Sequence, residues 1–576
     1  LWYRFGHFVG VLCSLPVWEV YNVLQSFTFA SYISVLAVLA NRAFGLRMSA
    51  SIMVATLIAF GSNLAGIKDA FTGVRGWWGP SRVITGTINE FPAWSFLLGD
   101  LHPHFLNLPL LPLAMLLAFS LPVLVVPVFV ASLFLVFAAN AWEVPVALIF
   151  LVLGALALAL YDFAVGDHGS LSYRAYIRGI FSRLKKILSS SYRSIGSAFG
   201  GALFIVVLAY LAAKHISPPS DPVRFVNLGV LNPILNQLAA LLGLVSTRFN
   251  GVNEAVYGSP VGQFMLHWGV PLAMLSLALL FERLSYLSIV ALTLGGILSY
   301  TLGIPLPFLV TLILVAFISI FVSVKAAEKP SLMFLGVCCL GVGSLIAIAI
   351  PEILFIDDPY GGENERMNTV FKFYSAAWGP LHLFAFGKFI SVFWREETQS
   401  NSSEAAPGII LALLACVLSL GFFAVTTGER SQKDFRIPPK IMGLSTIERE
   451  FPGSSAIIQR LGFLQPGVIL EAVFGAYNYS GFVATLSSRD SFMGWVNHVG
   501  LLTKKHEEAG RRERFARDFY TNPECSFRLD GAKREGIKYV IVGSLERQNY
   551  GEAVDRGFDC FRLVQISGQY RLYEVR

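Results

Sequence analysis

The chain has 576 residues, of which 55% are hydrophobic and only 14% are charged, and its mean hydropathy is +0.62. A soluble globular domain usually carries about 25% charged residues, so these values exclude an ordinary cytosolic enzyme and indicate a polytopic membrane protein. The formal net charge is +7, but no run of Lys and Arg resembles a nucleic-acid patch, and the positive-inside rule explains the excess more simply. Nucleic acid is therefore not an expected partner.

Apolar stretches of membrane-spanning length follow one another along most of the chain. They are predicted near residues 27–44, 50–66, 105–121, 122–140, 144–161, 199–215, 264–281, 285–303, 308–325, 332–350, 373–391 and 408–426. Residues 8–24 are interpreted as interfacial because Pro16 and Glu19 interrupt them, and an unpaired carboxylate is costly in hydrocarbon. The predicted fold is mostly α-helical, with about 12–13 transmembrane helices of a GT-C-like type in residues 1–426.

The distribution of Lys and Arg in short loops predicts the orientation of these helices. Residues 166–196 contain six basic residues and a single acidic residue, Asp167, which is typical of a cytoplasmic loop. Counting the spans outward from this loop places residues 67–104, 351–372 and 427–576 on the extracytoplasmic side. We therefore expect a multi-pass protein of the cell membrane with its polar loops on the outer face.

The last 150 residues have a different pattern, with short β-branched or alternating runs that predict strands. These runs are residues 467–471, 537–543, 561–566 and 570–575, and helical spacing is found at residues 454–461, 507–520 and 528–535. We therefore predict that residues 427–576 form an extracytoplasmic α/β domain. Cys525 and Cys560 are the two cysteines expected to be able to form a disulfide.

The densest polar stretch is residues 89–104, which places two carboxylates and two imidazoles before an apolar helix. Asp100, His102 and His104 alternate, and Pro103 favours an extended His102, so we expect the three side chains on one side of the chain. Such a set suits a divalent cation, Mg²⁺ or Mn²⁺, or a phosphate. The alternative is that these residues only cap and anchor the helix that follows.

A second polar stretch, residues 351–374, mixes both signs of charge. Arg366 and Lys372 suit a phosphate, Arg through its planar fork and Lys as a point charge. The alternative is a loop whose charges pair only with one another. A weaker third element surrounds Glu143, which is expected either to pair with Arg366 or to line a cavity, or else to belong to an interfacial anchor with Trp142.

Several motifs together resemble the YYY-type membrane proteins of archaea and Chloroflexi, a domain-of-unknown-function family associated with GT-C glycosyltransferases. The motifs are Trp2-Tyr-Arg-Phe-Gly-His7, Glu90-Phe-Pro, Asp100-Leu-His-Pro-His104, Asn140-Ala-Trp-Glu-Val-Pro145, Glu365-Arg-Met-Asn-Thr-Val-Phe-Lys-Phe-Tyr374, Gly494-Trp-Val-Asn-His498 and Tyr539-Val-Ile-Val-Gly-Ser-Leu-Glu-Arg547. Trp2 and Arg4 stand where the family has tyrosines, and the family's acidic, Pro-rich loop does not precede them here. We therefore expect part of the active site to lie upstream of Leu1.

This resemblance implies glycosylation chemistry: transfer of a sugar from a polyprenyl-phosphate donor to a glycan or protein acceptor on the extracytoplasmic face. The implied catalytic carboxylate is Asp100, with Glu90 as its alternate, acting as a general base or holding a metal. The implied roles of the remaining residues are phosphate binding for His102, His104, Arg366 and Lys372, metal binding for Asp100, His102 and His104, and acceptor binding for Trp495, Asn497 and His498.

Two other functions fit the same sequence. One is a transporter or flippase for a lipid or an anionic solute, since charged groups at helix ends suit a translocation path. The other is a noncatalytic membrane assembly subunit whose outer domain binds a partner. The enzyme is favoured over the transporter because the carboxylates and imidazoles gather in predicted outer loops, whereas transporters usually bind their substrates near the middle of the membrane.

Overall fold

The computed structural model describes most of the chain in separate stretches. The described residues are 2–73, 76–99, 101–120, 131, 135, 143–165, 223–229, 232–241, 249–281, 285–326, 331–358, 361–399, 420–429, 444–476, 478–503 and 505–576. Several predictions fall outside them. These are Asp100, the predicted spans 122–140 and 199–215, most of 408–426, and the basic loop 166–196 that set the orientation.

The fold is mostly α-helical, as predicted. Up to residue 399 the helices are α1 (Trp2–Cys13), α2 (Val17–Phe44), α3 (Met48–Phe60), α4 (Leu64–Thr72), α5 (Pro92–Leu98), α6 (Pro103–Leu106), α7 (Leu110–Ser120), α8 (Val144–Val165), α9 (Asn232–Leu241), α10 (Val261–Leu280), α11 (Ser285–Leu302), α12 (Leu306–Ala326), α13 (Leu332–Ala349) and α14 (Met367–Gln399). Residues 420–429 are also helical.

Within the described residues, four helical segments are long and apolar enough to cross a membrane. They are Trp18–Phe44, Val261–Leu280, Leu306–Val324 and Leu332–Glu352. The apolar side chains of α11 are among the most exposed of the protein, with Tyr286 at 86% and Leu287 at 76% exposure. Apolar surface of this extent on a helix of a membrane protein is suited to contact with lipid.

The first membrane helix begins earlier than predicted, at Val17 rather than near residue 27. The stretch 8–24 is interrupted at Pro16, as predicted, because α1 ends at Cys13 and α2 begins at Val17, whereas Glu19 does not interrupt α2. Pro16 precedes the first residue of α2, where its missing N–H costs no helical hydrogen bond, and Glu19 lies in the first turn, where the helix dipole favours a negative charge. Pro16 and Glu19 therefore mark the start of a helix.

The predicted span 50–66 is wrong as a single helix, because the chain bends by 79° between α3 and α4. Gly61 is extended, and Asn63 caps α4 by accepting a hydrogen bond from the Gly66 N–H at 2.8 Å. The Asn63 side-chain amide also donates to the Pro80 carbonyl at 2.7 Å and lies 3.1 Å from His267 Nδ1. Asn63 thus fixes the break and attaches it to the following loop.

Helix α13 is buried along almost its whole length, and two glycines allow its neighbours to approach. A Cβ on Gly336 would lie 2.4 Å from the Phe119 ring of α7, and one on Gly341 would lie 2.2 Å from Phe384 of α14. Both distances are shorter than real Cβ contacts. These glycines therefore allow bulky rings to pack directly against the backbone of α13.

Three strands that alternate with the helices along the chain form a small sheet in the order β2-β1-β3. Strand β1 (Val223–Asn227) pairs in parallel with β2 (Phe249–Tyr257) and antiparallel with β3 (Leu354–Ile356). Val226, Leu228, Val256 and Phe355 form its buried side. Because β3 lies within the polar stretch that begins at residue 351, its pairing with β1 holds that stretch in place.

By its contacts the chain divides into two compact units. One contains Leu1–Trp2 and Gln25–Arg436, and the other contains Tyr3–Leu24 and Ile437–Arg576. The sequence-based boundary lies at 426/427, so residues 427–436 and the N-terminal segment are divided differently by the contacts.

The C-terminal unit has the mixed α/β structure that the sequence predicts. Its elements are α15 (Leu444–Glu450), α16 (Ser454–Gly462), β4 (Val468–Leu470), α17 (Phe482–Leu486), α18 (Val496–Thr503), α19 (His506–Thr521), α20 (Cys525–Arg534), β5 (Ile537–Val542), α21 (Ser544–Tyr550), β6 (Arg562–Ser567) and β7 (Tyr570–Glu574). The sheet order is β4-β5-β7-β6, with β4 and β5 parallel and the other pairs antiparallel.

Strand β5 separates the two hydrophobic cores of this unit. Val540 and Val542 belong to one core, and Tyr539 and Ile541 belong to the other. Successive side chains of a strand point to opposite faces of the sheet, so β5 is buried on both sides, as its apolar sequence indicates. The disulfide considered from the sequence, Cys525–Cys560, is present.

Candidate functional site

The loop before Glu90 is held in place by Asn89. Its side-chain oxygen accepts the Ile84 N–H at 2.8 Å, its amide donates to Thr87 Oγ1 at 3.1 Å, and its backbone N–H donates to the Ser81 carbonyl at 2.8 Å. Asn89 is fully buried. A buried side chain with this many backbone and side-chain partners gives the next residue, Glu90, a defined position.

The stretch after Glu90 is divided by two prolines and a glycine. Pro92 occupies the first turn of α5, and Gly99 ends that helix in the left-handed region with φ 76°. His102 is extended with ψ 151°, as expected before Pro103, but Pro103 then begins the short helix α6. The predicted alternation through His104 is therefore wrong, because a proline at the first position of a helix favours a helical turn. His102 is exposed and His104 is buried.

Glu90 nevertheless lies at the centre of a charged group, which we call the Glu90 cluster: Arg82, Glu90, His102, His104 and Lys372. The Glu90 carboxylate lies 3.3 Å from His104 Nε2 and 3.6 Å from an Arg82 nitrogen. The His102 and His104 rings are 5.5 Å apart. Two sequence-predicted imidazoles and one predicted carboxylate are thus brought together, and Arg82 was not identified from the sequence.

Lys372 joins the Glu90 cluster from the other polar stretch. Its ammonium nitrogen lies 4.1 Å from the centre of the Phe371 ring, and the His104 ring centre lies 4.6 Å from the same ring. Two stretches separated by more than 260 positions in the sequence (104 to 372) therefore meet around one aromatic ring.

A backbone contact confirms that the two loops are close. Gly86 has φ +68°, and a Cβ built on it would lie 2.1 Å from the Glu363 carbonyl oxygen. No side chain can occupy that position without moving one loop away from the other. Glycine at residue 86 is therefore required by both its conformation and its neighbour.

Arg366, predicted to bind phosphate, belongs to a different group, which we call the Arg366 network: Ser259, Glu352, Arg366 and Tyr374. Its guanidinium donates to Ser259 Oγ at 2.6 Å and to the Pro351 carbonyl at 2.9 Å, and it lies 3.4 Å from Glu352. Arg366 is only 3% exposed. These contacts match the alternative of a loop whose charges pair with one another. Phosphate binding by Arg366 stays a prediction.

Glu352 is bound on both oxygens in the same network. One oxygen accepts the Ser259 hydroxyl and the Tyr374 hydroxyl, each at 2.8 Å, and the other accepts the Ser259 backbone N–H at 2.6 Å. A buried carboxylate is tolerated when hydrogen bonds and an opposite charge replace its water. The network joins residues 259, 352, 366 and 374 into one rigid support at the start of α14.

A cavity opens beside His104. Its polar lining residues include Tyr32, His104, Asn107, Glu143 and Ser375. Glu143 accepts a hydrogen bond from the Asn107 amide at 2.9 Å. Glu143 therefore lines a cavity, which is one of its predicted alternatives, and Trp142 of the predicted interfacial anchor lies outside the described residues.

A family match follows from the sequence of this region. The profile of a family described as "Uncharacterized membrane protein (DUF2298)" matches residues 2–381. The chain belongs to the DUF2298 family. The matched range contains both the Glu90 cluster and the Arg366 network, and the resemblance to the YYY-type membrane proteins is confirmed.

Solved structures that match this DUF2298 protein include oligosaccharyltransferases of Archaeoglobus fulgidus. Oligosaccharyltransferase AglB in complex with an inhibitory peptide and a dolichol-phosphate is 11% identical with a TM-score of 0.25, covering 93% of this chain and 60% of that chain. The apo enzyme is 12% identical with a TM-score of 0.32, covering 94% and 60%. The chain therefore spans about 60% of the length of these structures. No curated protein matches it.

The predicted metal set is only partly visible. In the described part of the DUF2298 chain, no three His, Cys, Asp or Glu side chains are close enough to hold a metal ion. Asp100, the third ligand predicted with His102 and His104, lies outside the described residues. A Mg²⁺ or Mn²⁺ site at these residues therefore stays a prediction, and it depends on Asp100.

The three residues predicted to bind the acceptor lie at the start of α18 in the C-terminal unit. Trp495 donates its indole N–H to the Asn478 carbonyl at 3.2 Å, and its ring is 5.2 Å from the ring of His498. Asn497 is exposed. The side chains of Trp495 and His498 thus lie together beside a turn, and the acceptor role of all three residues stays a prediction.

Proposed function

We propose that this protein is a GT-C-type membrane glycosyltransferase that moves a sugar from a polyprenyl-phosphate donor to a glycan or protein acceptor on the extracytoplasmic face. The observation that carries this proposal is the Glu90 cluster. It combines a carboxylate, two imidazoles and two basic side chains, Arg82 and Lys372, at the meeting point of two distant loops. Clusters of charged groups around an almost buried carboxylate are typical of functional sites.

The cluster has the groups that such a transfer requires. The acceptor attacks the anomeric carbon of the sugar, the bond between this carbon and the phosphate oxygen breaks, and the lipid phosphate leaves with the bonding electrons. A carboxylate, Asp100 or its alternate Glu90, takes the proton of the acceptor. Lys372, His102 and His104 stabilise the charge that develops on the phosphate.

In this proposal Arg366 positions the start of α14, the helix that carries Lys372. It holds the first turn of α14 by its bonds to Ser259 and the Pro351 carbonyl, and Lys372 projects from the second turn of that helix. A lysine placed by a rigid helix start loses less side-chain freedom on binding a phosphate than a mobile one does. The acceptor would bind at Trp495, Asn497 and His498.

The test is donor turnover by the purified protein in lipid nanodiscs. Polyprenyl-phosphate sugars are supplied with EDTA, Mg²⁺ or Mn²⁺, and release or transfer of sugar is measured. We expect turnover that falls by about 100-fold or more in Asp100→Asn or Glu90→Gln, the loss typical of a general base. Asp530→Asn, which changes an exposed carboxylate of α20, serves as the matched control. Equal turnover in all variants, or none in the native protein, contradicts the proposal.

A transporter or flippase is the second candidate, and the bend between α3 and α4 favours it. Discontinuous helices form the binding sites of many transporters, and this pair bends by 79°. Proteoliposomes with a fluorescent polyprenyl phosphate on one leaflet distinguish the two functions. Movement of the lipid without sugar release, abolished by Asn63→Ala at the bend, would establish transport in place of transfer.

A further inference from the structure

Three tryptophans lie together beside the Glu90 cluster, and we call Trp77, Trp78 and Trp94 the tryptophan group. Trp94 of α5 is fully buried, and its indole N–H donates to the Trp77 carbonyl at 2.9 Å. The Trp77 ring stacks on the Trp94 ring with their centres 5.5 Å apart. The Trp78 ring meets both edge to face, at 5.5 Å from Trp77 and 5.0 Å from Trp94. These contacts give the Trp78 ring a defined orientation.

Arg82 connects the tryptophan group to the Glu90 cluster. Its guanidinium carbon lies 5.1 Å from the centre of the Trp78 ring and 5.7 Å from that of Trp94, which is the range of a cation–π attraction. The same guanidinium donates to the Ser81 carbonyl at 2.8 Å and lies 3.6 Å from the Glu90 carboxylate. The Arg82 side chain is 32% exposed. A single cation therefore lies between an indole ring and a carboxylate and is still accessible to a ligand.

Trp78 is exposed in a loop whose other large apolar side chains are covered. Its exposure is 46%, whereas Val83, Ile84 and Phe91 are exposed by 4% or less, and no other large apolar side chain of residues 76–91 is classed as exposed. A surface that faces lipid exposes many apolar side chains together, as α11 does, and a single exposed indole does not form such a surface. The isolated exposure of Trp78 therefore indicates a contact with one specific ligand.

The groups around Trp78 select the chemistry of that ligand. The indole ring packs against C–H groups, Arg82 donates hydrogen bonds, and Glu90 accepts them. A pyranose ring has both features, since one face carries C–H groups and its rim carries hydroxyls that donate and accept. A hydrocarbon chain would cover Trp78 but leave the neighbouring charges without partners. A small anion would use Arg82 without the ring, and Arg82 already takes the position of a cation over Trp78.

We propose that Trp78, with Arg82 and Glu90 at its edge, is a platform on which a sugar ring stacks. This inference rests on the proposed function and adds to it a carbohydrate contact outside the Glu90 cluster. The ring belongs either to the sugar of the donor or to an acceptor glycan, because both present the same chemistry. An acceptor glycan bound there has its hydroxyls beside Glu90, the alternate general base.

Sugar binding is measured on the full chain in lipid nanodiscs, because sugar-based detergents would compete for the platform. The probes are methyl glycosides of glucose, mannose and galactose and the disaccharides cellobiose and lactose. Calorimetry gives the affinity, and saturation-transfer NMR identifies the sugar protons that lie against the protein. We expect at least one probe to bind and the C–H protons of one ring face to receive the strongest transfer, as stacking on an indole requires.

Two variants of Trp78 test the platform. Trp78→Ala removes the ring, and we expect the affinity for the sugar to fall by about tenfold or more. Trp78→Phe keeps a smaller ring and should lose less affinity, which provides a test if the alanine variant does not fold. Phe463→Ala, which removes an aromatic side chain of the C-terminal unit that is 87% exposed, is the matched control and should bind sugars as the native protein does.

Competition distinguishes the two sources of the sugar ring. If a polyprenyl-phosphate sugar displaces the bound glycoside and polyprenyl phosphate without a sugar does not, the platform binds the sugar of the donor. If the glycoside stays bound in the presence of that donor, the platform binds an acceptor glycan. Displacement by polyprenyl phosphate alone would mean that a lipid covers Trp78, and it would overturn the platform.

The outcomes separate this inference from the proposed function. Sugar binding that is weakened in the Trp78 variants and unchanged in Phe463→Ala supports the platform even if donor turnover is absent, in which case only the transferase proposal fails. Donor turnover with the sugar affinity and the KM values for donor and acceptor unchanged in the Trp78 variants overturns the platform and leaves the transferase. Absence of sugar binding to the native protein also overturns the platform.

Discussion

The Glu90 cluster and the Arg366 network both contain an almost buried carboxylate beside an arginine, but they differ in how completely their atoms are bound. Glu352 accepts three hydrogen bonds of 2.6–2.8 Å and has Arg366 at 3.4 Å. Glu90 has longer ion-pair contacts of 3.3 and 3.6 Å, and its neighbour His104 leaves a ring nitrogen unsatisfied. A fully satisfied group stabilises the fold, whereas an incompletely satisfied one is available to bind a ligand.

The largest effect is expected from breaking the satisfied network. Arg366→Met leaves the Glu352 carboxylate buried without its cation, so we expect the free energy of unfolding to fall by about 3–5 kcal/mol. Thermal unfolding of the purified protein in one fixed detergent measures the loss. If Arg366 instead served mainly to bind a ligand, the unfolding temperature without ligand would hardly change.

Arg224→Met provides the matched control for that variant. Arg224 pairs with Asp357 at 2.7 Å, but its side chain is 30% exposed. Surface ion pairs contribute about 0–1 kcal/mol, so Arg224→Met should lower the free energy of unfolding only slightly. A similar loss of stability in both variants would show that burial does not distinguish the two pairs.

The next effect concerns the incompletely satisfied cluster and appears in turnover. Lys372→Met removes a cation next to His104, and we expect donor turnover to fall by about 100- to 1,000-fold, as for loss of one group that stabilises a developing anion. Lys388→Met is the control, since Lys388 is on the same helix and also lies over a Phe ring, that of Phe334 at 5.5 Å. Equal turnover in the two variants would contradict the role of the Glu90 cluster.

Local chemistry explains which parts of the site could be predicted from sequence. Pro103 predicts an extended His102, and the structure confirms it, because the restriction before a proline depends only on neighbouring atoms. The same proline begins the helix that turns His104 out of the predicted alternation. The predicted alternation took into account only the effect of Pro103 on the residue before it, although a proline also favours the first position of a helix.

Long-range pairing explains what the sequence could not predict. Ser259 is 107 positions from Arg366 and lies in a loop without any motif, so nothing marked it as a partner. Arg82 and the cavity residue Tyr32 were missed for the same reason. Glu143 was identified as part of a third polar element, although its partner, Asn107, was not. Residue types thus indicated a site, and only packing assigned the partners.

A smaller effect tests whether the two loops must meet. Gly86→Ala places a methyl group 2.1 Å from the Glu363 carbonyl and adds backbone strain at positive φ. Gly76→Ala has the same strain, at φ +62°, with no atom within 4 Å. We expect Gly86→Ala to be less stable than Gly76→Ala by about 1–3 kcal/mol, the usual cost of overpacking, and to lose donor turnover as well. Unfolding and turnover of the pair show whether the close approach matters.

The smallest effect, counted as the change in the free energy of unfolding per pH unit, is expected from a buried carboxylate in the C-terminal unit. Glu471 accepts the backbone N–H groups of Val483 and Ala484 at 3.0 and 2.9 Å. Burial, together with the nearby charge of Glu546, raises the pKa of Glu471 from 4.5 to about 8. Between these values the folded protein keeps a proton that the unfolded chain releases. Stability should therefore decrease as pH rises from 4.5 to 8, by at most about 1.4 kcal/mol per pH unit.

Glu471→Gln isolates this contribution, because the amide cannot titrate and the pH slope should flatten even if the overall stability is lower. Hydrogen exchange of the β4 and β5 amides at several pH values measures local stability in the whole chain. Glu508→Gln is the control: Arg511 and Arg512 lower the pKa of this exposed carboxyl to about 2, so it stays ionised above pH 4.5 and its removal should leave the slope unchanged. An unchanged slope in Glu471→Gln would mean that backbone N–H groups alone keep this buried carboxylate ionised. Such groups would then do the same as the arginine partner of Glu352, and incomplete satisfaction would not distinguish Glu90 from Glu352.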